Sequence, residues 1–419
     1  MKKEKAVIVG VYDRYVSDWE IDENMKELLL LSNSAGIEVS GQITHEKRVI
    51  DPRFYIGKGK ADTISRFASR NGVNCVIFDV DLSPSQSRNL EKVTGKKIID
   101  RTGLILDIFA RNARTRQAKT QVELAQLKYM LPRLTRYWEH LSRQEGGVGI
   151  GLRGPGETQL EVDRRNIKKR IKKLSDTLEK FEKRRITRSK KRKDIFKAAI
   201  IGYTNCGKST LLNAITKADV LVEDRLFATL DSTVRKVKIK NQFDILLSDT
   251  VGFIKNLPHH LIASFKSTLG EVKEADLLLH IADITQTKLE EQIFAVNEVL
   301  QSLNILEKPT IIVFNKLDIL KDEKVIGRMR YEYPDAVFIS ALRGIGLNHL
   351  VQEIVRFAEK NFVDDEVVIP FSKFKYLDRI KKMGKVISTT FEDEHICVHY
   401  KARREDLGKV RRILEREEN

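Results

Sequence analysis

Along the first hundred residues, apolar positions fall in short runs separated by stretches of helical spacing. Ala6 to Val11 reads as a strand, Glu20 to Ser34 as a helix stopped by Gly36, and Ile37 to Thr44 as a second strand. Helices at Ala61 to Arg70 and Pro84 to Val93 flank a strand at Cys75 to Val80, and Lys97 to Asp100 adds a short last strand. This alternation predicts a small α/β domain with a mostly parallel sheet over residues 1–112.

From Thr115 the period changes. Leu124, Leu127, Leu131, Leu134, Trp138 and Leu141 are spaced three and four apart, as in the seam of a coiled coil, with Pro132 placed to kink the helix. Glycines between Gly146 and Gly156 break the pattern. It resumes with Leu160, Ile167, Ile171, Leu174, Leu178 and Phe181, Arg164 taking the missing seam position. Two matching stripes around one loop predict an antiparallel helical hairpin over 113–195, with a Gly-rich tip at 143–157. Residues 196–362 return to alternating strands and helices in the doubly wound manner. Residues 363–419 read as a small α+β module, with strands at Val367 to Phe371, Lys385 to Phe391 and His395 to Ala402 and helices at Phe374 to Met383 and Asp406 to Arg416. The predicted fold is therefore α/β and multidomain.

Charge changes this picture more than composition does. The 419 residues carry a formal net charge of +17, which points to an acidic partner, nucleic acid or an anionic membrane surface. Residues 160–195 hold 16 Lys or Arg against 6 Asp or Glu, a surplus of ten positive charges on the second hairpin helix. Most charge runs are simply solvated helix faces, but this surplus exceeds what intrahelical pairing absorbs. Few aromatics interleave with it, which favours the backbone of folded RNA over stacked single strands. Arg143 and Arg153 at the tip, and Arg164, Arg165, Lys168, Lys169, Lys172 and Lys173 on the helix, are the candidate phosphate contacts. No apolar run is long enough to span a membrane and no signal-peptide pattern is present, so the expected location is the cytoplasm, with peripheral membrane attachment as the other option. Cys75, Cys206 and Cys397 are too widely spaced for a disulfide framework or a zinc site, and His395 and His399 read as sheet-packing or surface residues.

The candidate chemistry lies in 196–362. Gly202-Tyr203-Thr204-Asn205-Cys206-Gly207-Lys208-Ser209, with Thr210 next, follows an apolar strand and opens a helix, the context a phosphate-binding loop requires. Its glycines let successive N–H groups turn inward around an anion, and the helix N-terminus adds partial positive charge. Lys208 would reach the outer phosphates and Ser209 would ligate Mg²⁺. Asp249-Thr250-Val251-Gly252 ends a second strand, with Asp249 placed to hold the metal through water and the Gly252 amide to meet the terminal phosphate. Asn315-Lys316-Leu317-Asp318 ends a third; the Asp318 carboxylate suits the paired N1–H and N2–H₂ donors of guanine, which adenine lacks. Ser340-Ala341-Leu342 follows a fourth, where a backbone amide could contact the base oxygen. A ligand-free strand-to-helix turn would explain the first motif alone, but not four in order at strand ends. Phe253 stands where many GTPases place a water-orienting glutamine, so hydrolysis by the isolated chain is expected to be slow. Ile56-Gly57-Lys58-Gly59-Lys60 is either a second phosphate loop or a basic turn before a helix.

Two further segments resemble the HflX family within the Obg–HflX group of GTPases. Phe227-Ala228-Thr229-Leu230-Asp231 is similar to its first switch, and the segment from Gly146 to Glu161, with Gly154-Pro155-Gly156-Glu157-Thr158-Gln159 at its centre, is close to its signature. The resemblance implies that Thr229 ligates Mg²⁺ and senses the terminal phosphate, with Lys208, Thr229 and Gly252 as the catalytic set. It implies the large ribosomal subunit as partner of a monomer, the tip reaching toward the peptidyl-transferase region. The implied outcome is separation or rescue of stalled or idle ribosomes under heat or antibiotic stress. The competing readings are a membrane-linked signalling GTPase and an RNA-remodelling NTPase not specific to ribosomes.

Overall fold

The computed structural model describes residues 4–47, 49–134, 155–190, 195–216, 226–227, 233–239, 243–255, 270–371, 384–392 and 394–403, with single positions 377, 380 and 407. The chain divides into two compact units: Met1–Glu182 with Val222–Asp231 and Val251–Leu269, and Lys183–Leu221 with Ser232–Thr250 and Gly270–Asn419.

The first unit opens with β1 (Lys5–Asp13), α1 (Asp18–Ser34), β2 (Glu38–Lys47), α2 (Lys58–Arg70), β3 (Cys75–Phe78), α3 (Pro84–Thr94) and β4 (Lys97–Ile99). The strands make a four-stranded parallel sheet in the order β2-β1-β3-β4. Strand β1 is buried from Ala6 to Tyr12, as a central parallel strand covered on both faces should be. Local chemistry sets the helix ends. Ser83 and Gln86 cap α3 reciprocally, Pro84 occupies its first turn, and Gly95 closes it at φ 65°. The sequence reading ran this domain straight into the hairpin, but α4 (Arg101–Asn112) intervenes, started by the Asp100 side chain accepting from the Gly103 amide at 2.8 Å. Its apolar residues Leu104, Ile105, Leu106, Ile108 and Phe109 are buried, while Gly103, Asp107, Ala110 and Arg111 line its more open face.

Two long helices follow, α5 (Arg116–Leu134) and α6 (Pro155–Lys190). The predicted tip lies outside the described residues except for its last three positions, and so do Arg143 and Arg153. Leu124 and Leu174 are buried and Ile167, Ile171, Leu178 and Phe181 half-buried, in keeping with the predicted seam. Arg164 is exposed rather than seated in that seam, because a guanidinium gains more from water than from an apolar stripe. Arg170 Nη2 reaches Glu123 Oε1 at 2.6 Å, an α6–α5 contact.

The second unit carries a six-stranded sheet in the order β10-β9-β8-β5-β7-β6. Its strands are β5 (Phe196–Gly202), β6 (Thr233–Ile239), β7 (Phe243–Asp249), β8 (Leu277–Asp283), β9 (Thr310–Asn315) and β10 (Val337–Phe338). All neighbouring pairs are parallel except β6 with β7. Helix α7 (Lys208–Thr216) follows β5; α8 (Gly270–Glu274), α9 (Leu289–Ser302), α10 (Lys324–Glu332) and α11 (Leu347–Asn361) follow in order. One face of the sheet packs on Leu211, Leu350 and Ile354, the other on Leu289, Ile293 and Met329. The last described strands, β11 (Phe362–Pro370), β12 (Gly384–Phe391) and β13 (His395–Arg403), form an antiparallel sheet with β13 central, and the predicted helices at Phe374 to Met383 and Asp406 to Arg416 lie outside the described residues apart from Leu377, Ile380 and Leu407.

Central strand β8 is entirely buried and contains His280. Burial, and secondarily the Lys208 ammonium, push this imidazole down to about 4 from an ordinary 6.5. It is neutral in the folded chain at neutral pH, whereas in the unfolded chain it takes up a proton below 6.5. Its stabilising contribution is therefore complete above that pH and is lost as pH falls toward 4, a change of about 3 kcal/mol. In His280→Leu the denaturant midpoint should fall less steeply between pH 6.5 and 4 than in the unaltered chain; parallel acid limbs would refute the assignment.

Candidate functional site: a phosphate loop and a base-reading pair at the strand ends

The loop after β5 sits at the carboxyl end of the six-stranded sheet, where open α/β sheets bind ligands. Two of its glycines are required by close approach. A Cβ on Gly202, at φ 149°, would lie 2.2 Å from the Ile281 carbonyl oxygen, and one on Gly207, at φ 95°, would lie 2.3 Å from Asn315 Nδ2. Asn205 between them adopts φ 61°, a left-handed conformation costly for most side chains and tolerated by Asn. Lys208, largely buried, curls back over the loop and donates from Nζ to the Tyr203 carbonyl at 2.6 Å. Its charge is thus held at the centre of the loop, on a carbonyl that an anionic ligand would replace.

Ser209 Oγ donates to Asp249 Oδ2 at 2.6 Å. Asp249 is fully buried, and its Oδ1 has no hydrogen-bond partner among the described residues. Burial pushes this carboxyl above its usual range, opposed by the Lys208 charge and by hydrogen bonds from Ser209 and the Thr250 amide. An orphaned carboxylate oxygen beside a serine hydroxyl is a donor set for a hard divalent cation, and Mg²⁺ fits it. Thr250 itself is buried and donates from Oγ1 to the Ile200 carbonyl at 2.7 Å, tying the end of β7 to β5.

The base-reading half is built around Asn315. Its Nδ2 donates to the Cys206 carbonyl at 2.8 Å and its Oδ1 accepts from the Ala341 amide at 2.9 Å. One buried amide therefore joins the phosphate loop to the Ser340–Leu342 turn. Asp318 Oδ1 accepts from Ser340 Oγ at 2.6 Å, and that Oγ accepts in turn from the Arg343 amide at 3.1 Å. Asp318 is exposed. Its orientation comes from Ser340. Lys316, at φ 70°, pairs through Nζ with Asp283 Oδ2 at 2.7 Å. Asp283 was not among the predicted site residues. It ends an apolar strand as Asp249 does, and that shared placement was the available signal. Leu342 is exposed and Cys206 fully buried as a filler beneath the loop.

The remaining predicted residues fall elsewhere. Ala228, Thr229, Leu230 and Asp231 lie outside the described residues. Phe227 belongs to the first unit, where its ring meets that of Phe109 edge-on at 4.8 Å and its carbonyl accepts from Asn112 Nδ2 at 2.7 Å. The Leu226 amide donates to Ser34 Oγ at 3.1 Å. Val251, Gly252 and Phe253 are buried in that unit, so Phe253 is core there. Two residues on, the Lys255 carbonyl accepts from Arg101 Nη2 at 3.1 Å, and Arg101 is also paired with Asp79 at 2.5 Å and with Glu27. No feature of the sequence announced these contacts. At Gly57 and Lys58 the structure shows the start of α2 with Lys58 exposed. Arg164, Arg165, Lys168, Lys169, Lys172 and Lys173 are all exposed on α6.

Three family models match the chain in order: one described as GTP-binding GTPase N-terminal over residues 22–110, one as GTP-binding GTPase Middle Region over 112–192, and one as 50S ribosome-binding GTPase over 197–316. A curated relative named GTPase HflX, from Caldanaerobacter subterraneus subsp. tengcongensis, is 45% identical over 417 residues, covering 98% of this chain and 94% of its own length. Another of that name, from Escherichia coli K12, is 46% identical over 394 residues, covering 93% and 91%. Among solved structures, a complex of SsGBP with GDP aligns at a TM-score of 0.49 and 26% identity, covering 85% of this chain and 99% of that one.

Removing the Asn315 amide leaves the Ala341 N–H and the Cys206 carbonyl without their partner, at a cost of about 1–3 kcal/mol each when buried. Asn315→Ala should weaken guanine-nucleotide affinity at least tenfold in a fluorescent-nucleotide titration. Unchanged affinity would remove Asn315 from its role as a strut.

Proposed function

The chain belongs to the HflX family of GTPases, and from that premise we propose that it is a GTP-controlled factor that docks on the large ribosomal subunit and dissociates or rescues stalled or idle ribosomes under stress. It hydrolyses GTP. Ser209 and Thr229 directly, and Asp249 through water, would hold Mg²⁺, which would supply charge neutralisation at the phosphates. Lys208 leaves the Tyr203 carbonyl for the phosphates, Asp318 takes the N1–H and N2–H₂ of guanine, and the Ala341 amide is offered to the base oxygen.

The observation that carries the ribosomal reading is the basic face of α6, where Arg164, Arg165, Lys168, Lys169, Lys172 and Lys173 are all exposed. They recur on successive turns with little aromatic surface between them, a pattern suited to the phosphates of folded RNA. The matching family description names 50S ribosome binding for residues 197–316, which supports the same partner. Arg143 and Arg153 would extend the contact at the tip, toward the peptidyl-transferase region. No helix among the described residues is long and apolar enough to cross a membrane. A cytoplasmic monomer fits this reading.

A phenylalanine cannot orient water by hydrogen bonding, so the ribosome supplies or arranges the group that does. GTP turnover should rise strongly when ribosomes are added; equal rates with and without them would overturn the proposal.

Charge reversal of Lys168, Lys169, Lys172 and Lys173 should weaken pelleting with ribosomes and lower the slope of log affinity against log salt by about 3 if all four meet phosphates. Unchanged pelleting would exclude α6 as the contact. Parallel sedimentation with anionic lipid vesicles, in a GTP analogue and in GDP, separates this reading from the membrane-linked one: nucleotide-dependent pelleting with vesicles alone would favour the latter.

A further inference from the structure

The outer end of the β12–β13 hairpin gathers a nitrogen, a sulfur and an oxygen donor that the GTPase reading leaves unused. Phe391 pairs with Ile396 and Thr390 with Cys397. The Glu392 amide donates to the His395 carbonyl at 2.9 Å, so the ladder runs one step further and sets Glu392 opposite His395. Ile396, Val398 and Tyr400 are fully buried in the module's core. Residues alternate across a strand, which puts His395 and Cys397 on the opposite, outward face together with Glu392. His395 Nε2 lies 2.7 Å from Glu392 Oε2, and Cys397 Sγ lies 3.9 Å from Glu392 Oε1. One donor atom from each of the three residues falls within 4.8 Å of the other two.

Tetrahedral zinc, bound at about 2.0–2.3 Å, needs donors roughly 3.3–3.8 Å apart, so the observed triangle closes with side-chain adjustment alone. The mixed N, S and O set selects a borderline-soft divalent ion over Mg²⁺ or Ca²⁺. The electrostatic setting agrees. The carboxylates of Glu392 and Glu366 bring negative charge to the Cys397 sulfur, a setting that favours a bound cation. A chain of formal net charge +17 thus keeps an acidic, thiol-bearing corner on its last module. The sequence hid it: Glu392 and Cys397 are five residues apart, and only the hairpin register brings them together.

We propose that Glu392, His395 and Cys397 form a three-ligand site for a zinc-like divalent transition-metal ion, with a fourth position open to water. Binding replaces the thiol proton, which leaves to solvent, and turns a negatively charged ligand set into a neutral one. The proposal does not depend on the ribosomal reading.

The test uses the full chain, stripped with chelator and then loaded with Mg²⁺ and GDP so that the nucleotide site is filled. Anaerobic titration with Co²⁺ should give a near-ultraviolet thiolate-to-cobalt band with visible bands of tetrahedral intensity, all bleached by one equivalent of Zn²⁺. Cys397→Ser should abolish the band, His395→Gln and Glu392→Gln should each weaken Co²⁺ binding at least tenfold, and Cys75→Ser should leave it unchanged. The three ligand positions face outward, and circular dichroism checks that the variants keep their fold. Absence of the band, its persistence in Cys397→Ser, or indifference to both other substitutions would overturn the site, leaving Glu392 and His395 as an ion pair closing the hairpin.

Discussion

The buried side-chain amide of Asn315 ties together the segments of the candidate nucleotide site. Its nitrogen fixes the carbonyl of Cys206 in the phosphate loop, and its oxygen fixes the Ala341 amide in the turn that follows the fourth ligand-bearing strand. The bonds are individually modest, about 1 kcal/mol net, but their geometry decides the distance between the phosphate and base ends of the site. The same amide explains Gly207, since any Cβ there would strike it. Loop sequence, strand end and base-side turn are therefore one constraint seen from three places.

Electrostatics follow from that rigidity. Asp249 and Asp283 both end buried strands of one sheet, yet they are satisfied differently. Asp283 has Thr285, Gln286 and the Lys316 ammonium, whereas Asp249 has the Ser209 hydroxyl, the Thr250 amide and one oxygen left over among the described residues. Leaving a buried carboxylate oxygen unpaired is unfavourable, which is why burial raises the Asp249 carboxyl and why a divalent cation is the natural complement. The protein keeps that oxygen in an unfavourable environment at the point where a metal would offset it.

In the first unit, Leu226, Phe227 and Lys255 come from the two stretches that flank β6 and β7, yet they are packed on α1 and α4 through Ser34, Phe109, Asn112 and Arg101. Edge-on aromatic pairs contribute about 0.5–1.5 kcal/mol beyond simple burial. A ligand that drew Phe227 away from Phe109 would have to offset that packing with its own contacts.

Much of this was legible in the sequence because it depends on local rules. The strand, loop and helix around Lys208, the Asp at the end of β7, the Asn and Asp flanking Lys316 and the heptad stripes of α5 and α6 each follow from chain direction, side-chain period and turn chemistry over a few residues. Helix α4 was missed because its apolar stretch is short, and over so few residues the pattern does not separate helix from buried strand. The exposure of Asp318, the pairing of Asp283 with Lys316, the packing of Phe227 on Phe109 and the grouping of Glu392 with His395 and Cys397 were out of reach for a different reason. Each depends on which segments meet across the fold, and that is settled by the close packing and strand register of the whole chain, whose energies are spread over residues that share no local pattern.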